Sequence, residues 1–221
     1  MADDSLSRRD LLSKSAATVA ALGTVGTVGP LSLSGCLGLF RPSLPSCEGD
    51  QITDVSNPGR GPTDAPVTVE VYSDYACSHC ADWALEAAPQ LDDEIQDGTI
   101  RYVHHDYPIP VSERSFPAAN AARAVHYYDG PEAFWTFNRL VFENQGSLGT
   151  DALADLAGEA GASPDRVRTA ASALPFCRAI KDDREAAADR GVSATPTVFV
   201  GDEQFEGPSI DEVEAAIDQR R

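Results

Sequence analysis

The chain has 221 residues, which is enough for one well-buried domain with an appendage but hardly for two full domains. Its 17 basic and 35 acidic side chains give a net charge of -18, which argues against nucleic-acid binding and against electrostatic attraction to anionic lipid, because both need a basic surface. Hydrophobic residues make up 42% of the chain, so global disorder is excluded as well.

The kind of charge is informative in its own right. Only Lys14 and Lys181 are lysines, which leaves 15 arginines among the 17 basic residues. An acidic, alanine-rich and lysine-poor composition resembles that of proteins from salt-adapted organisms such as halophilic archaea, in which dense carboxylates keep a protein hydrated. High salt would screen the repulsion among so many like charges. The alternative is an ordinary acidic protein from a medium of low salt.

The first 35 residues are interpreted as an export segment that takes no part in the fold. Arg8 and Arg9, followed by a mildly apolar stretch, resemble a twin-arginine export signal. The stretch ends in the residues 33–36, Leu-Ser-Gly-Cys, which resemble a lipobox, where cleavage precedes the cysteine and its thiol is lipidated. We therefore expect lipidated Cys36 to hold the protein on the outer face of the cell membrane. The alternative is an uncleaved N-terminal anchor helix, which also places the body outside the cytoplasm.

Residues 36–66 are rich in Pro, Gly and Ser and predict a tether, in which residues 51–55 are a candidate edge strand. The β-branched and aromatic residues 67–72 then predict a central strand. Beyond it, apolar residues recur every four positions from Trp83 to Ile95, which predicts an amphipathic helix kinked at Pro89.

A second strand is predicted over residues 100–105, so that strand, helix and strand form a βαβ unit with two parallel strands. Residues 112–190 have a helical pattern, with Pro131 and Pro164 at first-turn positions. Strands over 197–200 and 203–206 form a hairpin around Gly201-Asp202, and a capping box over 209–212 begins the last helix. The predicted fold class is α/β, ordered as βαβ, a helical block and ββα.

The residues that carry chemistry lie where the first long helix begins. Cys77 and Cys80 are separated by two residues directly after a strand, which places the Cys77 sulfur at a helix N-terminus. The free N–H groups and the positive end of the helix dipole there stabilise a thiolate, the attacking species in disulfide exchange. Cys80, one turn further on, is predicted as the less exposed resolving thiol. His79 is expected to donate a hydrogen bond or positive charge to the Cys77 thiolate, which would make the disulfide a stronger oxidant.

The sequence Ala194-Thr195-Pro196 stands directly before the hairpin, and a proline is compatible with a strand at its start. Together with Cys-Ser-His-Cys after a strand and a helical insertion, this sequence resembles the DsbA-like branch of the thioredoxin superfamily over residues 67–221. Further points of resemblance are Asp106-Tyr107-Pro108, Ala121-Ala122 and Phe134-Trp135. The resemblance implies a thioredoxin-like fold with a helical insertion at about 112–190. It also implies a cis bond before Pro196 beside the active disulfide, and a Thr195 backbone that contacts the substrate strand.

The sequence departs from this family at one position. Several members carry a glutamate where Val71 stands, and they use it for proton transfer beneath the second cysteine. Glu70 is one position away from it. The neighbouring histidines His104 and His105 are interpreted as strand residues rather than metal ligands, and Asp74 and Tyr75 either as loop packing or as the rim of a substrate site.

The cysteine count adds a further prediction. If Cys36 is lipidated and Cys77 pairs with Cys80, Cys47 and Cys177 remain. Because free thiols outside the cytoplasm tend to oxidise, we predict a structural Cys47–Cys177 disulfide between the tether and the helical block. The alternative is a buried free Cys177 with Cys47 unpaired.

The resemblance implies an extracytoplasmic thiol–disulfide oxidoreductase, most simply an oxidase that introduces disulfides into exported proteins. The expected partners are those substrates and a membrane or soluble protein that reoxidises Cys77–Cys80. We expect a monomer with no metal and no cofactor besides the redox-active disulfide. One alternative is a reductase or isomerase supplied by a membrane electron donor. A copper or zinc carrier and a redox-inactive scaffold or adhesin are alternatives of another class.

Overall fold

A mixed five-stranded sheet forms the centre of the protein. The computed structural model describes residues 44–109 and 112–221, so the predictions for residues 1–35 and for Cys36 lie outside the described residues. The strands, in spatial order, are β1 (Gly59–Arg60), β3 (Ile100–Asp106), β2 (Val67–Ser73), β4 (Thr197–Val200) and β5 (Glu203–Glu206). Strands β2 and β3 are parallel, and the other neighbours are antiparallel. The predicted βαβ and ββα halves are therefore confirmed.

The helices follow the predicted order. Between β2 and β3 lie α1 (Ser78–Asp82) and α2 (Asp92–Gln96), and after β5 lies α8 (Ile210–Asp218). The helical insertion consists of α3 (Ser115–Asp129), α4 (Pro131–Glu143), α5 (Thr150–Glu159), α6 (Pro164–Ala173) and α7 (Cys177–Asp189). Pro131 and Pro164 occupy first-turn positions, and Ser209 and Glu212 form the predicted capping box. Within the described residues, no helix is both long enough and apolar enough to cross a membrane.

The helix predicted between β2 and β3 is not continuous. Between α1 and α2 the chain forms a π-helical turn over Trp83–Ala87 and then a 3-10 turn over Ala88–Leu91. Pro89 lies in the 3-10 turn, where its ring and its missing N–H exclude a regular α-helical hydrogen bond. The irregular turns still bury Trp83 and Leu91 against the sheet, so the apolar pattern that predicted one helix is satisfied by three kinds of helical turn.

The edge strand predicted over residues 51–55 is wrong. The outer strand β1 lies further along, at Gly59–Arg60, where it pairs with β3. Ile52 instead donates its N–H to the Pro175 carbonyl at 2.8 Å. From residue 44 onward, the segment predicted as a tether is thus held against the folded body through this bond, the β1 pairing and the disulfide described below.

The two faces of the central strands have different neighbours, because successive side chains of a strand point to opposite sides. Val69 and Val71 of β2 pack with Trp83 on the face covered by the turns after α1 and by α8. On the same face of β3, His104 is directly opposite Val71 in the register. Tyr72 packs with Ala187 of α7 on the other face. This alternation decides which side chains lie beneath the cysteine pair.

Candidate active site

The cysteine pair lies where β2 leads into the first helix. Cys77 is the N-cap residue of α1 and is partly exposed, whereas Cys80 is 0% exposed, and both are free thiols in the structure. The Cys77 sulfur lies 3.4 Å from the Thr195 carbonyl oxygen, and the Thr195–Pro196 peptide bond is cis. The fold thus brings together the two predicted parts of the site, which are separated by 118 positions in the sequence.

The pKa values of the two thiols are shifted in opposite directions. The pKa of Cys77 is lowered from 9.0 to about 5, and the largest cause is a hydrogen bond from the Cys80 thiol. The Thr195 hydroxyl and the backbone N–H groups of Cys80 and His79 lower the pKa further, whereas partial burial opposes these effects. Burial raises the pKa of Cys80 far above its ordinary value, and the neighbouring Cys77 adds to this rise. Cys77 is therefore a thiolate at neutral pH and Cys80 is a thiol, which fits a nucleophile and a resolving residue.

The predicted contribution of the His79 side chain to the Cys77 thiolate, by a hydrogen bond or by its charge, stays a prediction. The His79 side chain is exposed, and the His79 backbone N–H, in the first turn of α1, also lowers the pKa of Cys77. A helix N-terminus offers this N–H whatever the side chain is.

The loop before Cys77 is held by buried polar groups. Asp74 is 1% exposed; its Oδ1 accepts from the Ala76 N–H and its Oδ2 from the Ile109 N–H, both at 2.7 Å. Its own N–H donates to the Cys80 sulfur at 3.4 Å. Asp74 and the buried Tyr75 are thus loop-packing residues rather than parts of a rim.

The helical insertion contributes a contact that the sequence did not predict. Gln145, just after α4, donates from Nε2 to the Tyr75 carbonyl at 2.9 Å and to the Cys77 carbonyl at 2.7 Å. These two bonds fix the backbone at the nucleophile from the insertion side. No sequence signal distinguishes Gln145 from other polar residues of the insertion.

A buried ionic cluster lies deeper between the sheet and the insertion. Arg123 of α3 is 0% exposed and donates from Nε to Asp106 Oδ2 at 2.5 Å and from Nη2 to Asp183 Oδ2 at 2.7 Å. Arg123 also donates to the side chain of Asn57. Asp106, in turn, accepts from His104 Nε2 at 3.3 Å. The arginine holds the pKa of Asp106 below its usual range although burial acts in the opposite direction.

Glu70 lies on the face of β2 opposite the cysteine pair. Its Oε1 is 3.0 Å from His105 Nε2, and its Oε2 accepts from Arg190 Nη2 at 2.9 Å. The hydrogen bond from His105, followed by that from Arg190, lowers the pKa of Glu70 to about 2 against the effect of burial. A carboxylate at position 70 therefore cannot exchange protons with Cys80.

The remaining two described cysteines are joined. Cys47 and Cys177 form a disulfide with an S–S distance of 2.07 Å and a Cα–Cα distance of 5.4 Å. Cys177 begins α7 and is fully buried, so the bond holds the segment before β1 against the insertion.

A paired thiolate and thiol at a helix start, facing a cis-proline, agree with the comparison to known sequences. The family model described as thioredoxin matches residues 53–219. The chain belongs to the thioredoxin family.

The curated relatives that the chain matches differ greatly in length. The Na+/H+ antiporter NhaA 3 of Salinispora tropica is 32% identical over 164 residues, which cover 72% of this chain and 24% of that protein. The chain thus spans about a quarter of the length of the first curated relatives that it matches. Disulfide bond formation protein D of Bacillus subtilis is 26% identical over 170 residues, which cover 73% of this chain and 76% of that protein.

A solved structure supports the fold. Oxidised BdbD from Bacillus subtilis superposes with a TM-score of 0.70 at 24% identity, and the match covers 78% of this chain and 98% of that one. Because nearly the whole of that chain is matched, the likeness includes the helical insertion. The predicted thioredoxin-like fold with a helical insertion is therefore confirmed.

Proposed function

We propose that the protein is a thiol–disulfide oxidoreductase that works as an oxidase and transfers the Cys77–Cys80 disulfide to the thiols of exported proteins. The observation that carries this proposal is that the two thiols are shifted in opposite directions: the pKa of Cys77 is lowered to about 5, and burial raises that of Cys80. Cys77 is also the more accessible sulfur of the two, so an incoming substrate attacks there. The likeness to a protein named for disulfide bond formation supports the same reaction.

The reaction proceeds in two exchanges. A substrate thiolate attacks the Cys77 sulfur; a bond forms between these atoms, the Cys77–Cys80 bond breaks, and its electron pair leaves with Cys80, which takes up a proton. A second thiolate of the substrate then attacks the first substrate sulfur, and Cys77 leaves as a thiolate. The substrate has lost two electrons to the cysteine pair. A partner that accepts two electrons must then restore the disulfide.

The direction of transfer follows from the stabilised thiolate. Every interaction that favours the Cys77 thiolate stabilises the reduced protein relative to the disulfide, which makes the disulfide more oxidising. The Cys80 thiol and the N–H groups of α1 supply these interactions. A low pKa also makes Cys77 a good leaving group in the second exchange.

The reduction potential of the full chain tests this function. Equilibration of Cys77–Cys80 with glutathione is expected to give a value well above that of thioredoxin, about -270 mV, and closer to that of DsbA, about -120 mV. The protein should also form the disulfide of a reduced, unfolded substrate, and Cys77→Ser should abolish this activity. Replacement of Cys47 and Cys177 by alanine is the matched control, since it removes the other cysteine pair and should leave the reaction intact.

A potential near that of thioredoxin would contradict the oxidase. Reduction of substrate disulfides by the wild type would then favour the reductase or isomerase supplied by a membrane donor. Failure of the wild type to exchange disulfides in either direction would contradict the proposed function as a whole.

We also propose that the protein works outside the cytoplasm, attached through lipidated Cys36 to the outer face of the membrane. The support is the twin-arginine sequence at residues 8–9 and the lipobox-like residues 33–36. In the native host, the wild type should fractionate with membranes, and Cys36→Ala should release it. The same distribution for both proteins would contradict lipid anchoring.

The surrounding medium is proposed to be salty, because the net charge is -18 and the basic residues are almost all arginine. Salt that screens this charge should raise the thermal midpoint of unfolding well beyond the change seen for a protein of balanced charge. A midpoint that does not respond to salt would contradict this proposal.

A further inference from the structure

A cavity of about 240 Å³ lies between the sheet and the helical insertion. Its walls come from β1, β2 and β3, from the turns after α1, and from α4. Neither Cys77 nor Cys80 lines it, so it is separate from the site of thiol exchange. The cavity is smaller than the roughly 300–1,000 Å³ of sites for drug-sized molecules, which limits its occupant to a ligand with a single ring.

Four aromatic side chains form the walls of this cavity. They are Trp83, Tyr102, Trp135 and Phe142, which include both tryptophans of the chain. Trp83 donates from Nε1 to the Tyr102 hydroxyl at 3.0 Å, and the rings of Tyr102 and Trp135 meet edge to face at 5.8 Å between centroids. These contacts hold the rings in place before any ligand arrives. Aromatic walls favour an aromatic ligand, whose ring can pack against them in a stacked or edge-to-face arrangement.

The charge of the lining is opposite to that of the whole protein. Arg60 and Arg139 line the cavity, and among the described residues Asp92 is its only acidic lining residue. The buried His104 lies at the inner wall. The chain as a whole has 35 acidic and 17 basic side chains. An excess of arginine around one cavity therefore favours a negatively charged ligand in a protein that otherwise repels anions.

Two neighbouring residues of α4 can donate hydrogen bonds to such a ligand. Arg139 pairs with Glu143, but these side chains are 55% and 40% exposed, and an ion pair of this kind contributes little. Arg139 can therefore turn to a ligand carboxylate at small cost. Asn138 is buried, and its Oδ1 accepts from the Tyr75 hydroxyl at 2.9 Å, which leaves its Nδ2 to donate to another acceptor.

Two further donors at this wall have no acceptor. Arg60 Nε and Trp135 Nε1 are buried and have no hydrogen-bond partner among the described residues. The guanidinium carbon of Arg60 lies 5.0 Å from the centre of the Trp135 ring, so the two donors belong to one patch of the lining. A buried donor without an acceptor destabilises a protein. Because both unpaired lining atoms are donors, the group that is missing there is an acceptor, and a carboxylate can accept several such bonds.

We propose that this cavity binds a small aromatic carboxylate, with its ring between the aromatic walls and its carboxylate at the arginines and the N–H donors. This inference goes beyond the proposed thiol–disulfide exchange and does not depend on it. A metal ion does not fit the lining, because the Asp92 carboxylate already pairs with Arg60 at 2.8 Å. An uncharged aromatic molecule would use the walls alone, and an inorganic anion would use the arginines alone.

Benzoate is the simplest probe of this class, and the two tryptophans report its binding. Full-length protein labelled with ¹⁵N has two indole N–H signals, since the chain has two tryptophans. Trp135→Phe removes one signal and so assigns both. Benzoate should shift both signals saturably. The Trp135 signal should move downfield, because its N–H gains an acceptor, whereas the Trp83 N–H already donates to Tyr102.

Two other ligands separate the ring from the charge. Benzyl alcohol has the same ring without the charge, and inorganic phosphate has a charge without the ring. Benzoate should bind at least tenfold more tightly than either, because it alone uses both the aromatic walls and charged hydrogen bonds. All three titrations are made at one ionic strength, since salt screens the attraction to the arginines.

A pair of matched variants tests the contact with arginine. Arg139→Gln is expected to weaken benzoate binding about tenfold and to leave the binding of benzyl alcohol unchanged. Arg168→Gln is the control, since Arg168 is also a half-exposed arginine in surface ion pairs, here with Asp151 and Asp165, and does not line the cavity. It should leave benzoate binding unchanged.

Benzoate that shifts neither indole signal would overturn the proposal. Equal affinities for benzoate and benzyl alcohol, or for benzoate and phosphate, would overturn it as well, since either the charge or the ring would then be irrelevant. Wild-type affinity in Arg139→Gln would have the same consequence. If that variant does not fold, the three ligands compared on the wild type decide alone. Disulfide exchange is measured separately, so the oxidase can fail while benzoate binds, and benzoate can fail to bind to an active oxidase.

Discussion

Removal of the Cys80 thiol should make Cys77 less acidic. The hydrogen bond from Cys80 is the largest cause of the low Cys77 pKa of about 5. A hydrogen bond to a charged group is worth about 1.5–3 kcal/mol, and 1.36 kcal/mol corresponds to one pKa unit, so its loss should raise the pKa by about 1–2 units. Cys80→Ala keeps the N–H of residue 80 and that of His79, so part of the lowering should remain. We expect a Cys77 pKa of about 6–7 in this variant.

The rate of alkylation by iodoacetamide measures this pKa, because only the thiolate reacts. In the reduced protein Cys80 is buried, so the reaction reports Cys77. Cys80→Ser is the matched control, since its hydroxyl can donate to the Cys77 thiolate as the thiol does. Its profile should lie close to that of the wild type, with a midpoint near pH 5.

A Cys80→Ala profile with the midpoint of the wild type would refute this reasoning. It would mean that the backbone N–H groups at the start of α1 account for the thiolate without help from the second sulfur. Equal upward shifts in Cys80→Ala and Cys80→Ser would refute it differently, by showing that a donor at this position is not what stabilises the anion.

Three further predictions concern the stability of the fold. Replacing Cys47 and Cys177 by alanine should lower the free energy of unfolding in urea by about 3–5 kcal/mol, because their disulfide spans 130 positions; an unchanged urea midpoint contradicts this. Arg123→Met should cost about 3–5 kcal/mol in the same assay, since it leaves the Asp106 carboxylate buried without its partner. The Glu70 pKa of about 2 means that this residue stabilises the fold above about pH 4.5 and stops doing so as the pH falls towards 2. Glu70→Gln should therefore flatten the curve of stability against pH in that range.

The parts of the fold that are governed by local pattern were predictable from the sequence. The β-branched run of β2, the hairpin around Gly201-Asp202 and the capping box before α8 each carry their signal within a few residues. The cysteine pair belongs to this group as well, because a strand followed by a helix start places its first sulfur at the free N–H groups.

The parts that depend on distant contacts were not predictable. Arg123 lies in an alanine-rich helix, and the sequence does not show whether such an arginine faces solvent or a buried carboxylate 17 positions away. Ile52 lies in a polar segment, and no local pattern shows that its N–H donates to the Pro175 carbonyl. Trp83 belongs to an apolar repeat that fits an α-helix and equally fits the π-helical turn that is present, since both bury its indole.

The face of the sheet to which each strand residue points decides which side chains lie together. Val71 and Glu70 are neighbours in sequence, yet only Val71 points towards the cysteine pair, and a shift of one residue would exchange them. The same alternation on β3 points His104 towards the cavity and His105 towards Glu70. An apolar residue on β2 therefore does not leave this side of the sheet without a titratable group, because the strand beside it supplies one in the same register. Which side chains share the face of Val71 is thus set by the pairing of two strands and cannot be decided from β2 alone.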